Sequence, residues 1–229
     1  MSLAAYKSKR SFEFTGEPEG AEPFNRGPRG SRIPFVIQKH AASRLHYDFR
    51  LQIDGVLKSW AVPKGVPLLH GEKRLAMQVE DHPSEYGAFE GTIPKSNYGA
   101  GTVMLWDAGV CNVLGGTPRA ALRAGKLVFQ LHGQKLSGKW TLVRMRPREN
   151  RDEKAWLLIK TEGDAAPVSA RSDDRSILSR RTMKQINTIS DRTWQSHPKS
   201  NSNRIARRYI RPSRGQKTAM QHKRPQFHS

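Results

Sequence analysis

The 229-residue sequence has one cysteine, few acidic residues and no long apolar segment. Because Cys111 stands alone, an intramolecular disulfide and a cysteine-based zinc site are excluded. The longest apolar run has five residues, Ala155 to Ile159, whereas a membrane span needs roughly 20. Only Leu3 to Tyr6 precede the first charges, which is too short for the apolar part of a secretory signal. These absences predict a soluble protein that stays inside the cell and does not engage a membrane.

The scarcity of acids leaves a large positive charge. Asp and Glu number 20 against 40 Lys and Arg, so the formal net charge is +20 with neutral histidines. From Asp191 to Ser229 there are ten basic residues and one acid among many Ser, Asn and Gln, a composition that predicts disorder. A flexible basic tail gains affinity for a polyanion by counterion release. We therefore expect nucleic-acid contact, with a merely solubilising tail as the alternative.

Length and composition predict one folded domain with two weakly ordered flanks. Hydrophobic residues make up 36% of the chain, a low share for a fully packed globular protein. Glu17 to Arg32 is rich in Gly, Pro and Arg, as irregular connectors are. We predict an N-terminal arm and connector over 1–32, a domain over 33–190 and a disordered basic tail over 191–229.

The central part of the chain shows the pattern of β-strands. Apolar and polar residues alternate strictly from Leu45 to Ile53, and the tight-turn pair Asp54-Gly55 leads into a second strand-like run, Val56 to Val62. Arg74 to His82 alternates too, with Leu75, Met77 and Val79 on its apolar face, before Pro83 ends it. Further segments predict strands at Thr102–Trp106, Lys126–His132, Trp140–Arg146 and Trp156–Lys160, and one short helix at Pro118–Ala124. The pattern predicts an all-β, mainly antiparallel barrel or sandwich with minor short helices.

The polar faces of two of these strands carry an unusual mixture of side chains. One face offers His46, Asp48 and Arg50, and the other offers Arg74, Gln78, Glu80 and His82. Imidazoles, carboxylates and guanidiniums together suit a site for a metal and a phosphate better than a solvated edge does.

His40 lies six residues before His46, so a turn over residues 41–44 would fold it back over the His46–Asp48 face. Two imidazoles and one carboxylate suit Mn²⁺, Fe²⁺, Co²⁺ or Zn²⁺. A His-x-Asp pair such as His46 and Asp48 also occurs by chance and is more often hydrogen-bonded than metallated. Together with a distant histidine, His82 or His132, the same pair would instead match the facial triad of non-haem iron oxygenases. The overall charge, and a guanidinium at Arg50 placed to grip a phosphate at two points, favour phosphate chemistry.

Longer motifs carry a family resemblance. The sequence over roughly residues 6–190 closely resembles the 3′-phosphoesterase module of DNA ligase D. The motifs are Gln38-Lys39-His40, Leu45 to Leu51, Leu57 to Gly65, Val79 to Pro83 with Tyr86, Phe89-Glu90-Gly91, Tyr98 to Val103, Trp156 to Lys160 and Ser176 to Met183.

The resemblance implies a compact β-barrel enzyme that uses manganese, with cobalt or zinc as alternatives, to trim DNA 3′ ends during bacterial end joining. It implies removal of a terminal ribonucleoside to leave a 3′-phosphate, and hydrolysis of that phosphate to a 3′-hydroxyl. The implied partners are DNA 3′ ends, Ku and a separate ligase or polymerase, in the prokaryotic cytoplasm at the nucleoid.

The resemblance also implies roles for individual residues. The implied metal ligands are His40, His46 and Asp48. Arg50 and His82 would hold the phosphate with Tyr86 beside them, and the positions at or around the site would be Gln38, Lys64, Arg74 and Glu80. Arg10 and Glu17 match residues tied to ribonucleoside removal.

One position departs from the family pattern, because Ser11 stands where an aspartate is usual. Loss of that carboxylate leads us to expect the phosphatase step more firmly than the ribonuclease step. The alternative from another functional class is a non-catalytic basic domain that binds DNA ends.

Overall fold

The computed structural model describes residues 3–13, 15–20, 30–146 and 154–190. The helical segments are α1 (Leu3–Lys7), a 3₁₀ helix (Ser84–Ala88), α2 (Pro118–Ala124), α3 (Ala170–Asp173) and α4 (Met183–Ser190). The strands are β1 (Arg32–Ala41), β2 (Leu45–Ile53), β3 (Val56–Val62), β4 (Lys73–Gln78), β5 (His82–Pro83), β6 (Gly91–Ile93), β7 (Gly101–Leu114), β8 (Lys126–Gly133), β9 (Ser137–Arg144) and β10 (Ala155–Glu162). Within these ranges, none of the helices has both the length and the apolarity needed to cross a membrane.

Eight strands close into an antiparallel barrel. Their order is β1-β2-β3-β4-β10-β9-β8-β7, and β7 pairs back with β1 to complete the ring. Strand β5 pairs with β3, and β6 pairs with β7, so both lie beside the ring. The predicted all-β barrel with minor short helices is confirmed.

Side-chain alternation places the core inside the barrel and the polar motif outside it. Six odd-numbered residues of β1 and β2, among them Phe35 and Phe49, are buried in the central cluster with Trp60, Trp140 and Trp156. Burying each such aromatic contributes on the order of 2–3 kcal/mol. Since alternate residues of a strand point to opposite faces, the even-numbered residues of β1 and β2 project from the outer wall. The candidate site residues of these two strands are among them.

The hairpin and the helix predicted from sequence are confirmed. Asp54 and Gly55 have φ values of 55° and 81°, so they form the tight turn between β2 and β3 with two positive φ angles. Helix α2 begins after Thr117, whose side chain accepts a hydrogen bond from the Ala120 N–H, and ends at Gly125 in the left-handed conformation. The other four predicted strands are present with different bounds, and β7 is much longer than predicted.

Strand β4 corrects the prediction for Arg74 to His82. Leu75 is 45% exposed, while Ala76 is fully buried, so the predicted apolar face points outward. Ala76 pairs with Trp156 on the neighbouring strand β10, where a small residue leaves space for that indole. The strand also ends at Gln78, and His82 belongs to a separate strand that pairs with β3. The two ends of the predicted strand therefore lie on different parts of the barrel.

Several elements were not predicted from sequence: β1, α1, the 3₁₀ helix, β6, α3 and α4. Residues 191–229, the predicted tail, and residues 21–29 of the predicted connector lie outside the described residues.

Candidate metal centre and active site

His40, His46 and Asp48 come together on the outer face of the β1–β2 ladder. In the antiparallel register, His40 lies opposite His46 and Gln38 lies opposite Asp48. His40 Nδ1 is 3.7 Å from Asp48 Oδ2, and His46 Nε2 is 3.7 Å from Asp48 Oδ1. The predicted fold-back is therefore confirmed, because the chain bends over residues 42–44 and antiparallel pairing then places His40 beside His46.

Two features of the histidines fit a bound metal ion. His46 Nδ1 lies 3.0 Å from the Arg44 carbonyl oxygen, which makes Nδ1 the donor and, in the neutral ring, leaves the lone pair on Nε2, the nitrogen that faces Asp48. His40 Nε2 is buried and has no hydrogen-bond partner among the described residues, a costly state for a polar atom. One ligand atom from each of the three side chains lies within 4.8 Å of the other two. Two imidazoles and a carboxylate suit a divalent transition metal.

Asp48 is held as a carboxylate at this site. Its burial alone would raise its pKa, but Arg50 and the two histidines outweigh that effect and hold the pKa well below its ordinary value. The side chain thus presents a negative charge to any cation between the histidines at all physiological pH values.

Arg50 joins the triad to the rest of the site. It is 2% exposed, and its guanidinium donates from Nε to Gln38 Oε1 at 2.8 Å and from Nη2 to Asp48 Oδ2 at 3.0 Å. Its Nη1 lies 2.8 Å from Ser59 Oγ and 2.9 Å from His82 Nδ1. Four of the five N–H groups of a guanidinium are thereby engaged. The two-point phosphate grip inferred from sequence is therefore not free in this arrangement.

His82 is held in the neutral form. Burial, followed by the charges of Arg50 and Arg10, lowers its pKa well below the ordinary value. A guanidinium N–H can only donate, so the 2.9 Å contact with Arg50 requires a lone pair on His82 Nδ1 and places the ring proton on Nε2. The Glu80 carbonyl oxygen is also 2.9 Å from Nδ1 and can accept from it only when Nδ1 carries a proton.

Tyr86 and Gln38 form the wall behind Arg50. The Tyr86 ring centroid lies 4.9 Å from Arg50 Cζ and 4.7 Å from the His82 ring centroid. Burial, and then the charge of Glu17, raises the pKa of Tyr86 well above its ordinary value, so its hydroxyl stays protonated. Gln38 donates to the carbonyl oxygens of Tyr86 and Phe89 at 2.9 and 3.0 Å, which fixes this wall to β1.

The N-terminal arm brings a second charged cluster against His82. Arg10 Nε donates to Glu17 Oε1 at 2.8 Å, and its Nη1 lies 3.3 Å from Glu80 Oε1. The side chains of all three residues are buried. The structure thus brings together Arg10, Glu17 and Glu80 as one unit that adjoins His82.

Lys64 and Arg74 line a cavity of about 530 Å³, together with Tyr47, Trp106 and Asp173. Arg74 pairs there with Glu72. Among the described residues, no hydrogen bond or ion pair joins either cation to the metal triad. That both lie at or around the substrate site stays a prediction.

The third ligand that the oxygenase interpretation would need does not come from His132. That ring lies 3.3 Å from the Asn112 side chain, on the β7–β8 part of the barrel. His40 is the residue that completes the triad.

The sequence is similar to a known family and to curated proteins. The family described as the DNA ligase D 3′-phosphoesterase domain matches residues 38–144. The "Multifunctional non-homologous end joining protein LigD" of Pseudomonas aeruginosa is 48% identical over 190 residues, covering 79% of this chain and 22% of that protein. The protein of the same name from Mycolicibacterium smegmatis is 40% identical over 185 residues, covering 74% of this chain and 24% of that protein.

The chain contains a DNA ligase D 3′-phosphoesterase domain. It spans about a quarter or less of the length of these curated relatives. The matched region of the family, 38–144, begins in β1 and contains every proposed site residue except Arg10 and Glu17 of the arm.

Two residues of this phosphoesterase domain were missed by sequence reasoning. Tyr6 is fully buried, its ring centroid lies 5.0 Å from that of His82, and Arg10 Cζ lies 4.0 Å above its ring. Its hydroxyl donates to the Pro18 carbonyl oxygen at 2.8 Å, which joins two parts of the arm, while its ring packs against His82. Ser59 lies opposite Arg50 on β3 and accepts from it. The only signals in the sequence were an aromatic residue within a charged arm and a polar residue within an apolar strand.

Proposed function

We propose that this chain is a metal-dependent DNA phosphoesterase that removes a 3′-phosphate and a terminal 3′-ribonucleoside to leave a 3′-hydroxyl for ligation in end joining. The observation that carries the proposal is the pairing of a two-histidine, one-carboxylate triad with the buried Arg50–His82 pair on the outer face of the barrel. A metal centre beside fixed donors is what a doubly charged phosphate monoester needs for hydrolysis.

We propose manganese as the metal, with cobalt or zinc as alternatives, held by His40, His46 and Asp48. The donor set and the partnerless buried His40 Nε2 support a transition metal over Mg²⁺. Such an ion supplies Lewis-acid charge at a phosphate oxygen. The tautomer that Arg44 selects on His46 keeps Nε2 available for it.

Arg50 and His82 are proposed to act on the phosphate itself. Arg50 keeps one N–H that has no partner among the described residues, and its charge stabilises the negative charge that spreads over the phosphate oxygens. His82, neutral with its proton on Nε2, donates a hydrogen bond to the phosphate. Tyr86 closes the wall beside them.

The arm cluster is proposed to serve ribonucleoside removal. Arg10, Glu17 and Glu80 form a buried set next to His82, where a terminal ribose would lie when the phosphate occupies the site. Ser11 is exposed and brings no carboxylate to this set. We therefore propose that the phosphatase step is the stronger of the two activities.

The proposed substrates are DNA 3′ ends, which is supported by the similarity to proteins of non-homologous end joining. We propose Ku and a separate ligase or polymerase as partners, and a location with the DNA in the prokaryotic cytoplasm. The net charge of +20 supports contact with a polyanion.

The test is a labelled primer–template with one terminal ribonucleotide, incubated with Mn²⁺, with both products resolved on a gel. We expect conversion through a 3′-phosphate to a 3′-hydroxyl, with the phosphate step faster. His46→Ala should abolish both steps, and Ser11→Asp should raise the ribonucleoside step relative to the phosphatase step. Binding without turnover would instead support a non-catalytic domain that binds DNA ends.

A further inference from the structure

Tyr98 presents an exposed aromatic ring that the proposed chemistry does not use. It lies between β6 and β7 and is 51% exposed. Among the exposed large hydrophobic residues of the described ranges, it is the one aromatic, and the others are leucines and an isoleucine. A single exposed tyrosine needs no explanation, so its surroundings decide whether it has a function.

Two cations of the N-terminal arm hold this ring in place. Lys9 Nζ lies 4.5 Å from the Tyr98 ring centroid and 3.5 Å from its hydroxyl oxygen. Arg10 Cζ lies 5.6 Å from the same centroid. Cations this close to an aromatic ring stabilise its position. The ring is thus fixed although half of it faces solvent.

The same contacts tie Tyr98 to the active site. Lys9 and Arg10 both reach the Glu80 carboxylate, at 3.4 and 3.3 Å, and the Glu80 carbonyl oxygen contacts His82. Beyond Tyr98, Gly101 is packed so closely that an added Cβ would lie 2.3 Å from the Ala41 carbonyl oxygen. Ala41 directly follows the proposed ligand His40. The segment carrying Tyr98 is therefore anchored beside both the triad and the arm cluster.

We propose that Tyr98 is a stacking platform for the base of the nucleotide at the DNA 3′ end. A fixed, half-exposed aromatic ring flanked by cations is the arrangement with which proteins bind unpaired bases and their phosphates together. The metal and Arg50 hold the terminal phosphate, and Tyr98 holds the base that belongs to it. This rests on the proposed function and adds a subsite that positions the end.

The kinetic test compares wild type with Tyr98→Ala, Tyr98→Phe and the control Leu75→Ala, which truncates another exposed apolar side chain on β4. The substrates are single-stranded 3′-phosphate oligonucleotides whose terminal nucleotide is either intact or abasic. Tyr98→Ala should raise KM for the intact end roughly tenfold, as the loss of one base–aromatic stack does. It should leave kcat and the abasic end unchanged, while Tyr98→Phe and Leu75→Ala stay within about twofold of wild type.

An equal loss on both ends, or no loss on either, would overturn the stacking proposal while leaving the phosphoesterase proposal intact. A second readout needs no turnover: an oligonucleotide with 2-aminopurine at its 3′ terminus is titrated with metal-free protein. We expect its fluorescence to be quenched by wild type and Tyr98→Phe, and to remain unquenched at saturation with Tyr98→Ala. Equal quenching by all three would refute the subsite, even if wild type hydrolysed nothing and the proposed function failed.

Discussion

Replacing Arg50 by lysine tests whether the planar guanidinium is needed at the centre of the site. The side chain is almost fully buried and makes hydrogen bonds to Gln38, Asp48, Ser59 and His82. An ammonium placed at one corner of the former guanidinium reaches at most two of these partners. Losing two charge-assisted hydrogen bonds costs about 1.5–3 kcal/mol each, or roughly 3–6 kcal/mol in total.

A change of about 1.4 kcal/mol in activation free energy corresponds to a tenfold change in rate. If only half of the roughly 3–6 kcal/mol is lost from the transition state, kcat/KM falls by about tenfold to a hundredfold, and it falls further if all of it is lost. We expect Arg50→Lys to fall at least a hundredfold in phosphate release from a 3′-phosphate oligonucleotide. Arg119→Lys, which alters an exposed ion pair with Asp54, serves as the matched control and should not change the rate. Thermal unfolding and Mn²⁺ titration would show that the variant is folded and loaded. Activity of Arg50→Lys within threefold of wild type would refute the reasoning.

The remaining predictions concern stability, pH and DNA affinity. Gly101 has φ 140°, and a Cβ added there would overlap the Ala41 carbonyl oxygen. Gly101→Ala should therefore lower the free energy of unfolding, measured in urea, by about 3 kcal/mol or more. The control Gly99→Ala, whose added Cβ would meet nothing within 4 Å, should lower it by about 1 kcal/mol. Because folding lowers the pKa of His82, the neutral ring's contribution to stability is complete above about pH 6.5 and is lost as the pH falls. The free energy of unfolding should therefore decrease less for His82→Gln than for wild type when the pH is lowered from about 7 to about 5. Equal pH dependence of the two would argue against a neutral buried His82. Truncation after Ile189 should leave turnover intact, weaken DNA binding and reduce its dependence on salt; an unchanged salt slope would mean that the tail does not contact DNA.

Local sequence patterns predicted those strands whose own residues alternate between apolar and polar or end in a recognisable turn. Strict alternation and a two-residue turn sufficed for β2 and β3, and alternation alone placed His46, Asp48 and Arg50 on one face. Strand β4 was different, because which of its faces is buried depends on Trp156 of a strand far along the chain. Ala76 is buried there while the larger Leu75 is exposed, which no local pattern indicates.

The site was predicted to a similar extent. The three candidate metal ligands lie on one strand and its neighbour, and the structure brings them together. The engagement of Arg50 with four partners depends on side chains from β1, β2, β3 and β5, and Tyr6 reaches His82 only because the arm folds back over the barrel. Such contacts are set by tertiary packing, so they are absent from any local reading of the sequence.

The most direct test of the central claim is calorimetric titration of Mn²⁺ into metal-free protein, wild type beside His46→Ala. The matched control is His132→Ala, which removes a histidine from another part of the barrel. We predict one ion bound per chain in wild type and in His132→Ala, and at least a hundredfold weaker binding in His46→Ala. Absence of binding by wild type at saturating manganese, or equal affinity in all three proteins, would contradict the account.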